Sequence, residues 1–182
     1  EYEFPLAQSS VKRIAFLIAA MDKKMILIAE DDPRVGESLR LLLKTKGHEP
    51  VLAPNGKEAF QRFRNEMVDL VITDLVMPKM DGIELLEAVK GLRPETEVIV
   101  ISAQGTIEKA VQAMKLGAFD FIEKPINPRV ISLLVERALE KQTLILQNRD
   151  LRSRLEEKFH FKNIVGRSEK MVRVFELIRH IA

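Results

Sequence analysis

The chain has 182 residues, 46% of them apolar, no cysteine, and a formal net charge of +2. That apolar content is enough to fill a core, and the length suits one domain plus something smaller, or two small domains. The near-neutral charge excludes a strong basic field aimed at nucleic acid. The lack of cysteine excludes disulfides and thiolate metal sites, and no apolar run reaches the roughly 18 residues a membrane span needs.

Residues 1–20 stand apart. Lys12-Arg13 followed by an apolar stretch to Ala20 faintly resembles a signal peptide, but an acidic, proline-containing start precedes it and no cleavage site follows. The expectation is that this segment is foreign to the protein or lies upstream of its true start at Met21.

From residue 25 to about 140, short apolar runs alternate with helical patterns. The run Met25-Ile26-Leu27-Ile28-Ala29 is a strand, followed at once by Glu30 and Asp31. Asp32 is placed to cap a helix with Pro33 at its first position, Val35, Leu39, Leu42 and Leu43 share one face, and Gly47 closes it. Val51-Leu52-Ala53 reads as a short strand. Asn55-Gly56 opens a second helix with Ala59, Phe60 and Phe63 inward. The run Leu70-Val71-Ile72-Thr73 is a strand ending on Asp74, and Pro78 with Asp81-Gly82 marks a loop. A third helix carries Ile83, Leu85, Leu86 and Val89 and stops before Pro94. A strand at 98–101 leads to Ser102. Thr106 caps a helix with Ile107, Ala110, Val111 and Met114 on one side, closed by Gly117. A fifth strand covers about 118–122 and runs into Lys124, and Asn127-Pro128 starts the last helix.

This is a five-fold βα repeat. Strands apolar almost throughout are expected where helices cover both faces of a parallel sheet, with right-handed connections. Ligands of such sheets sit beyond the carboxyl ends of the strands, near the point where strand order reverses. Glu30, Asp31, Asp74, Ser102 and Lys124 all occupy those ends. Three carboxylates held together repel one another, and a cation resolves the repulsion. Oxygen ligands favour Mg2+, Mn2+ or Ca2+ over zinc. Asp74 can act as a carboxylate nucleophile toward phosphorus, with Lys124 and the metal countering charge on the transferred group and Ser102 donating a hydrogen bond to it.

The last helix runs on. No Gly or Pro interrupts the chain from Arg129 to Val165. Leu144 and Leu151 fall at d positions, and Asn148 and Leu155 at a positions, of a short heptad pattern. A single Asn at an a position fixes register in two-stranded coils, so a dimeric coiled coil is expected here.

Several segments together resemble the receiver domain of two-component response regulators, over roughly residues 24–140. They are Ile26-Leu27-Ile28-Ala29-Glu30-Asp31-Asp32-Pro33, the stretch Thr73-Asp74-Leu75-Val76-Met77-Pro78-Lys79-Met80-Asp81-Gly82, Ile101-Ser102-Ala103, and Phe121-Ile122-Glu123-Lys124-Pro125. The resemblance implies an α/β, doubly wound, flavodoxin-like sheet of five parallel strands in the order 2-1-3-4-5. It makes Asp74 the phosphoacceptor, Asp31 and the Val76 backbone carbonyl direct Mg2+ ligands, and Glu30 a ligand through water. Ser102 becomes the switch hydroxyl, Phe121 the switch aromatic and Lys124 the phosphate-contacting lysine. The Lys124-Pro125 bond is expected to be cis.

The stretch from Gly105 to Phe121 looks most like NtrC-type activators. Ile164-Val165-Gly166-Arg167-Ser168-Glu169-Lys170-Met171, with Val174, Phe175, Ile178 and Ala182, is similar to the opening of the AAA+ domain of sigma-54-dependent activators. The implied organisation is a receiver over 21–140, a helical coiled-coil linker over 141–160 and the start of a truncated AAA+ output domain over 161–182. The implied partners are a sensor histidine kinase and a second copy through the linker, with sigma-54 RNA polymerase and DNA reached only through domains absent here. The implied location is cytoplasmic. No G-x-x-x-x-G-K-[ST] loop occurs, since Gly56-Lys57 is followed by Glu58, so ATPase activity would belong to a longer parent protein.

The expected behaviour is that of a phosphoacceptor switch with only slow self-phosphorylation and dephosphorylation. Two alternatives stand beside it: a receiver-like interaction module that is never phosphorylated, and a metal-dependent phosphatase with an aspartyl nucleophile. The phosphatase needs a second acid two residues after the nucleophile, where this chain has Val76.

Overall fold

The computed structural model describes the backbone of residues 23–103 and 106–159, and side chains through Arg154. The segment 1–20, Gly105, the side chain of Leu155 and the stretch 161–182 assigned to an output domain lie outside the described residues. The chain divides after Leu146 into two compact units.

The first unit is built on five parallel strands in the order β2-β1-β3-β4-β5. They are β1 Met25–Ala29, β2 Glu49–Ala53, β3 Leu70–Asp74, β4 Glu97–Ser102 and β5 Asp120–Glu123. Between and after them run α1 Pro33–Thr45, α2 Gly56–Asn65, α3 Gly82–Leu92, α4 Ile107–Lys115 and α5 Pro128–Phe159. Strand side chains alternate between two cores. Leu27, Ala29, Val71, Val98 and Val100 pack with residues of α2, α3 and α4. Ile26, Ile28, Leu70, Ile72, Ile99 and Ile101 pack with α1 and α5. Both faces are covered, which is why the central strands read as continuous apolar runs.

The helix starts follow the local chemistry. Asp32 accepts from the Arg34 N–H with Pro33 at N1, Asn55 accepts from the Glu58 N–H, and Thr106 accepts from the Lys109 N–H. Asp81 and Glu84 form a reciprocal capping box at the start of α3. Gly47 and Gly117 take φ of 90°, so each turn after a helix uses a conformation open to glycine. The Lys124-Pro125 bond is cis.

Four expectations need correction. Strand β2 begins at Glu49, two residues before Val51, and includes Pro50. A proline is tolerated because β2 is an edge strand with one side unpaired. Strand β4 begins at Glu97, a charged residue that the apolar pattern passed over. Strand β5 runs Asp120–Glu123, not 118–122, because the pairing begins at Ile99 opposite Asp120. On α4 the apolar stripe is not the core-facing side. Ile107, Val111 and Met114 are exposed, Ile107 at 80%, while Ala113 is fully buried. Ala113 packs into the core and the larger apolar side chains face away from it.

Candidate phosphoacceptor site

Register carries the strand-end residues to one place. Ala29 of β1 pairs with Thr73 of β3, so Glu30 and Asp74 leave neighbouring strands side by side. Asp74 pairs with Ile101 and Ser102 with Glu123, which steps the edge across β4 to Lys124. The strand order reverses between β1 and β3, so the cluster lies at the switch point of the sheet.

There the Lys124 ammonium bridges two carboxylates. Its Nζ donates to Asp74 Oδ2 at 2.7 Å and to both Glu30 oxygens at 2.9 Å. Glu30, Asp31 and Asp74 bring one oxygen each within 4.8 Å of the others. Glu30 and Asp74 are buried and Asp31 is exposed. The Val76 N–H points at Asp74 Oδ1 from 3.5 Å, and the Asp32 N–H at Glu30 Oε1 from 3.4 Å. Ser102 is fully buried at the end of β4, and its backbone carbonyl accepts from the Lys124 N–H at 2.7 Å. Phe121 is half-buried against the α2–α4 core. The sequence thus foresaw Glu30, Asp31, Asp74, Ser102 and Lys124 at one edge. It did not foresee that Lys124 holds both oxygens of Glu30.

Burial is the main force on Glu30. It drives the carboxyl above the usual carboxylate range, the Lys124 hydrogen bond opposes this, and the Asp74 charge adds to it. For Lys124, burial alone would lower the ammonium, but its hydrogen bonds to Asp74 and Glu30 outweigh that and hold it above the usual lysine value. The donor set fits a hard divalent cation: three carboxylates within reach of one point, one of them exposed, and no soft ligand among them.

The raised Glu30 value has a measurable sign. A proton on Glu30 competes with any cation at the cluster, so affinity for Mg2+ should rise as pH climbs above the ordinary value of 4.5 through the raised one. Calorimetric titration with Mg2+ in two buffers of different ionisation heat should show fractional proton release in that window. Glu30→Gln should abolish the release. Equal heats in both buffers would contradict the assignment.

Two glycines hold the loop after β3 in place, a role the sequence only hinted at with Asp81-Gly82. A Cβ on Gly82 would fall far inside contact with the Asp74 carbonyl oxygen, and one on Gly56 inside contact with the Met80 carbonyl. The first residue of α3 therefore presses on the backbone of Asp74, and the first residue of α2 on that of Met80. Gly82→Ala should cost about 1–3 kcal/mol, as overpacking against backbone does, measured by urea unfolding. An unchanged midpoint would show that the loop gives way freely.

Known proteins place this site in context. Residues 26–136 match the family model of the response regulator receiver domain. A putative NtrX-like response regulator of Rickettsia bellii is 37% identical over 145 residues, covering 79% of this chain and 30% of that protein. The regulatory protein AtoC of Escherichia coli is 33% identical over 147 residues, covering 81% of this chain and 32% of its own length. Among solved structures, NtrX from Brucella abortus in complex with ADP superimposes with a TM-score of 0.69 at 32% identity, over 87% of this chain and 34% of that one. The beryllofluoride-activated NtrC4 receiver domain dimer gives 0.63 at 30% identity, covering 65% of this chain and 98% of its own. The chain spans about a third of the length of the curated relatives it matches.

Proposed function

The chain belongs to the response regulator receiver domain family, and on that premise we propose that its strand-end cluster takes a phosphoryl group on Asp74 and works as a switch. The observation that carries this reading is the placement of Asp74. Its carboxylate lies 2.7 Å from a lysine ammonium and within 4.8 Å of two further carboxylates. One Asp74 oxygen attacks phosphorus, an O–P bond forms, and the bond from phosphorus to the donor breaks with its electron pair leaving on the donor. Asp31, Asp74 and the Val76 backbone carbonyl would hold Mg2+, with Glu30 acting through water. Bound there, the ion would supply positive charge against the transferred group. Lys124 then trades its contact with Glu30 for one with the phosphoryl oxygens, and the Ser102 hydroxyl donates to the same group. We assign Phe121 the response: drawing Ser102 toward Asp74 vacates space on its side of β5.

The donor is a sensor histidine kinase. An apolar groove of about 440 Å3 opens beside Lys124, walled by Val35, Leu39, Leu42, Pro125 and Ile126, where such a partner could dock. The same reading makes the protein cytoplasmic; among the described residues no helix is long and apolar enough to cross a membrane. The output is an AAA+ domain acting on sigma-54 RNA polymerase, carried by the longer parent protein. Similarity to NtrX-like and AtoC proteins supports it.

Incubation with Mg2+ and a small acyl-phosphate donor, read by intact mass, tests the core of this proposal. One added phosphoryl group is expected. No gain with any donor would leave a receiver-like interaction module in its place.

The linker is proposed to pair with a second copy along Leu144, Asn148, Leu151 and Leu155. Leu144 and Leu151 are each 59% exposed on α5, and Asn148 is exposed. Light scattering after size exclusion should give a dimer, and replacing Leu144 and Leu151 together by Lys should raise its dissociation constant at least about a hundredfold, since each buried leucine contributes about 1.5–3 kcal/mol. A monomer at all concentrations would refute the pairing.

A further inference from the structure

The sheet carries a second buried anion at the edge opposite the phosphoacceptor. Glu97 opens β4 and is 2% exposed, paired in register with Leu70. Ser102 closes the same six-residue strand, so the two sites sit about 17 Å apart along one rigid element. A carboxylate stays out of water only where cations or donors compensate it. Glu97 meets two lysines, one from each face of the sheet. Lys90 of α3 reaches Oε2 at 3.4 Å, and Lys141 of α5 reaches Oε1 at 2.8 Å.

The two lysines differ. Lys90 is itself largely buried and also donates to the Pro94 carbonyl at 3.3 Å. Burial holds its ammonium below the usual lysine value, with Glu97 opposing. Lys141 is half exposed, and its Nζ also stands 5.4 Å from the centre of the Phe119 ring. The Phe119 N–H donates to the Val98 carbonyl at 2.7 Å, which fixes that ring beside the start of β4. Lys141 also marks a boundary on α5. Ala138 and Leu139 before it belong to the core, whereas Leu144, Ile145 and Leu146 after it are exposed.

We infer that Glu97, gripping Lys141, is an ionic anchor that fixes the point where α5 leaves the sheet. Apolar packing ends at Leu139; in the following turn this charge pair and the cation–π contact act beside the buried side chain of Gln142. Lys90 meets the other oxygen of the same carboxylate, which leaves Oε1 to the lysine of α5. The only other described ion pair from α5 to the rest of the domain, Lys46 with Glu136 at 3.8 Å, is exposed on both sides and contributes little. The anchor does not depend on Asp74 receiving a phosphoryl group.

Hydrogen–deuterium exchange on the full, unmodified chain tests it. Lys141→Met leaves the Lys90–Glu97 pair intact. It should speed exchange of amides 139–146 by about three- to tenfold without moving the amides of β1 and β3. Lys141→Arg should restore wild-type protection, and Lys46→Met should leave it unchanged. Added salt should speed the same amides in the wild type but not in Lys141→Met, the signature of an ion pair. Wild-type protection in Lys141→Met would overturn the anchor, as would a uniform loss across all elements. Because no phosphoryl donor is present, failure here is separate from failure of the mass-gain assay.

Discussion

Asp74→Asn should gain no phosphoryl mass under conditions where the wild-type chain gains one, a loss of more than about 1,000-fold in rate. Asparagine keeps the shape of the side chain and its place at the end of β3, but its amide is no nucleophile. The fold should survive. The substitution weakens the hydrogen bond from Lys124, whose acceptor becomes a neutral amide oxygen, and removes one negative charge from a cluster of three carboxylates. These effects oppose each other, so the net change in stability should stay within about 1 kcal/mol. Equal circular dichroism and urea midpoints beside a missing mass gain would isolate the chemistry. A gain that persists, on Glu30 or Asp31, would show that a different carboxylate is the acceptor.

Lys124→Met should separate the two parts that this lysine plays. Methionine keeps most of the apolar stem and removes the ammonium that compensates Glu30 and Asp74. Breaking a buried charge pair from one side costs about 3 kcal/mol, so the metal-free variant should unfold at a clearly lower urea concentration. Added Mg2+ binds only the folded cluster and should recover much of the loss by mass action. The shift in melting temperature on adding Mg2+ should therefore be larger in the variant than in the wild type. Acid should also rescue it in part. Glu30 already has a raised value through burial, and without Lys124 it rises further. The variant's deficit should then be smallest in acid, near the ordinary carboxyl value of 4.5, and grow as pH rises through Glu30's raised one, where Glu30 is forced to ionise without a partner. Transfer to Asp74 should slow by about 100- to 1,000-fold, as it does when a positioned charge is taken from a transition state. An Mg2+ shift no larger than in the wild type would show that Lys124 does not stand where its geometry suggests.

Much of this site was legible in the sequence because the fold turns order along the chain into position in space. In a doubly wound sheet, whatever follows each apolar run stands at the same edge. Five such residues could be named before any pairing was known. Helix starts were equally legible at Asp32, Asn55 and Thr106, since capping is a bond between near neighbours. The α4 stripe misled because periodicity reports that Ile107, Val111 and Met114 share a side, not which side the core occupies. Glu97 was missed for the opposite reason. A charged residue breaks an apolar run, and the compensating lysines are 7 and 44 positions away.

By itself, then, the sequence determined the repeat of strand and helix, the edge where the chemistry gathers and the residue types that gather there. These follow from local patterns: alternation along a strand, spacing along a helix, caps and turns. The tertiary structure decided who holds whom. That Lys124 grips both oxygens of Glu30 as well as Asp74 depends on the register of β5 on β4, β4 on β3 and β3 on β1. That Lys141 ends its reach on Glu97 depends on α5 crossing the sheet at one height. Each is a pairing between segments far apart in the chain. Its energy comes from two charges sharing a site removed from water, and neither partner alone carries a sign of it.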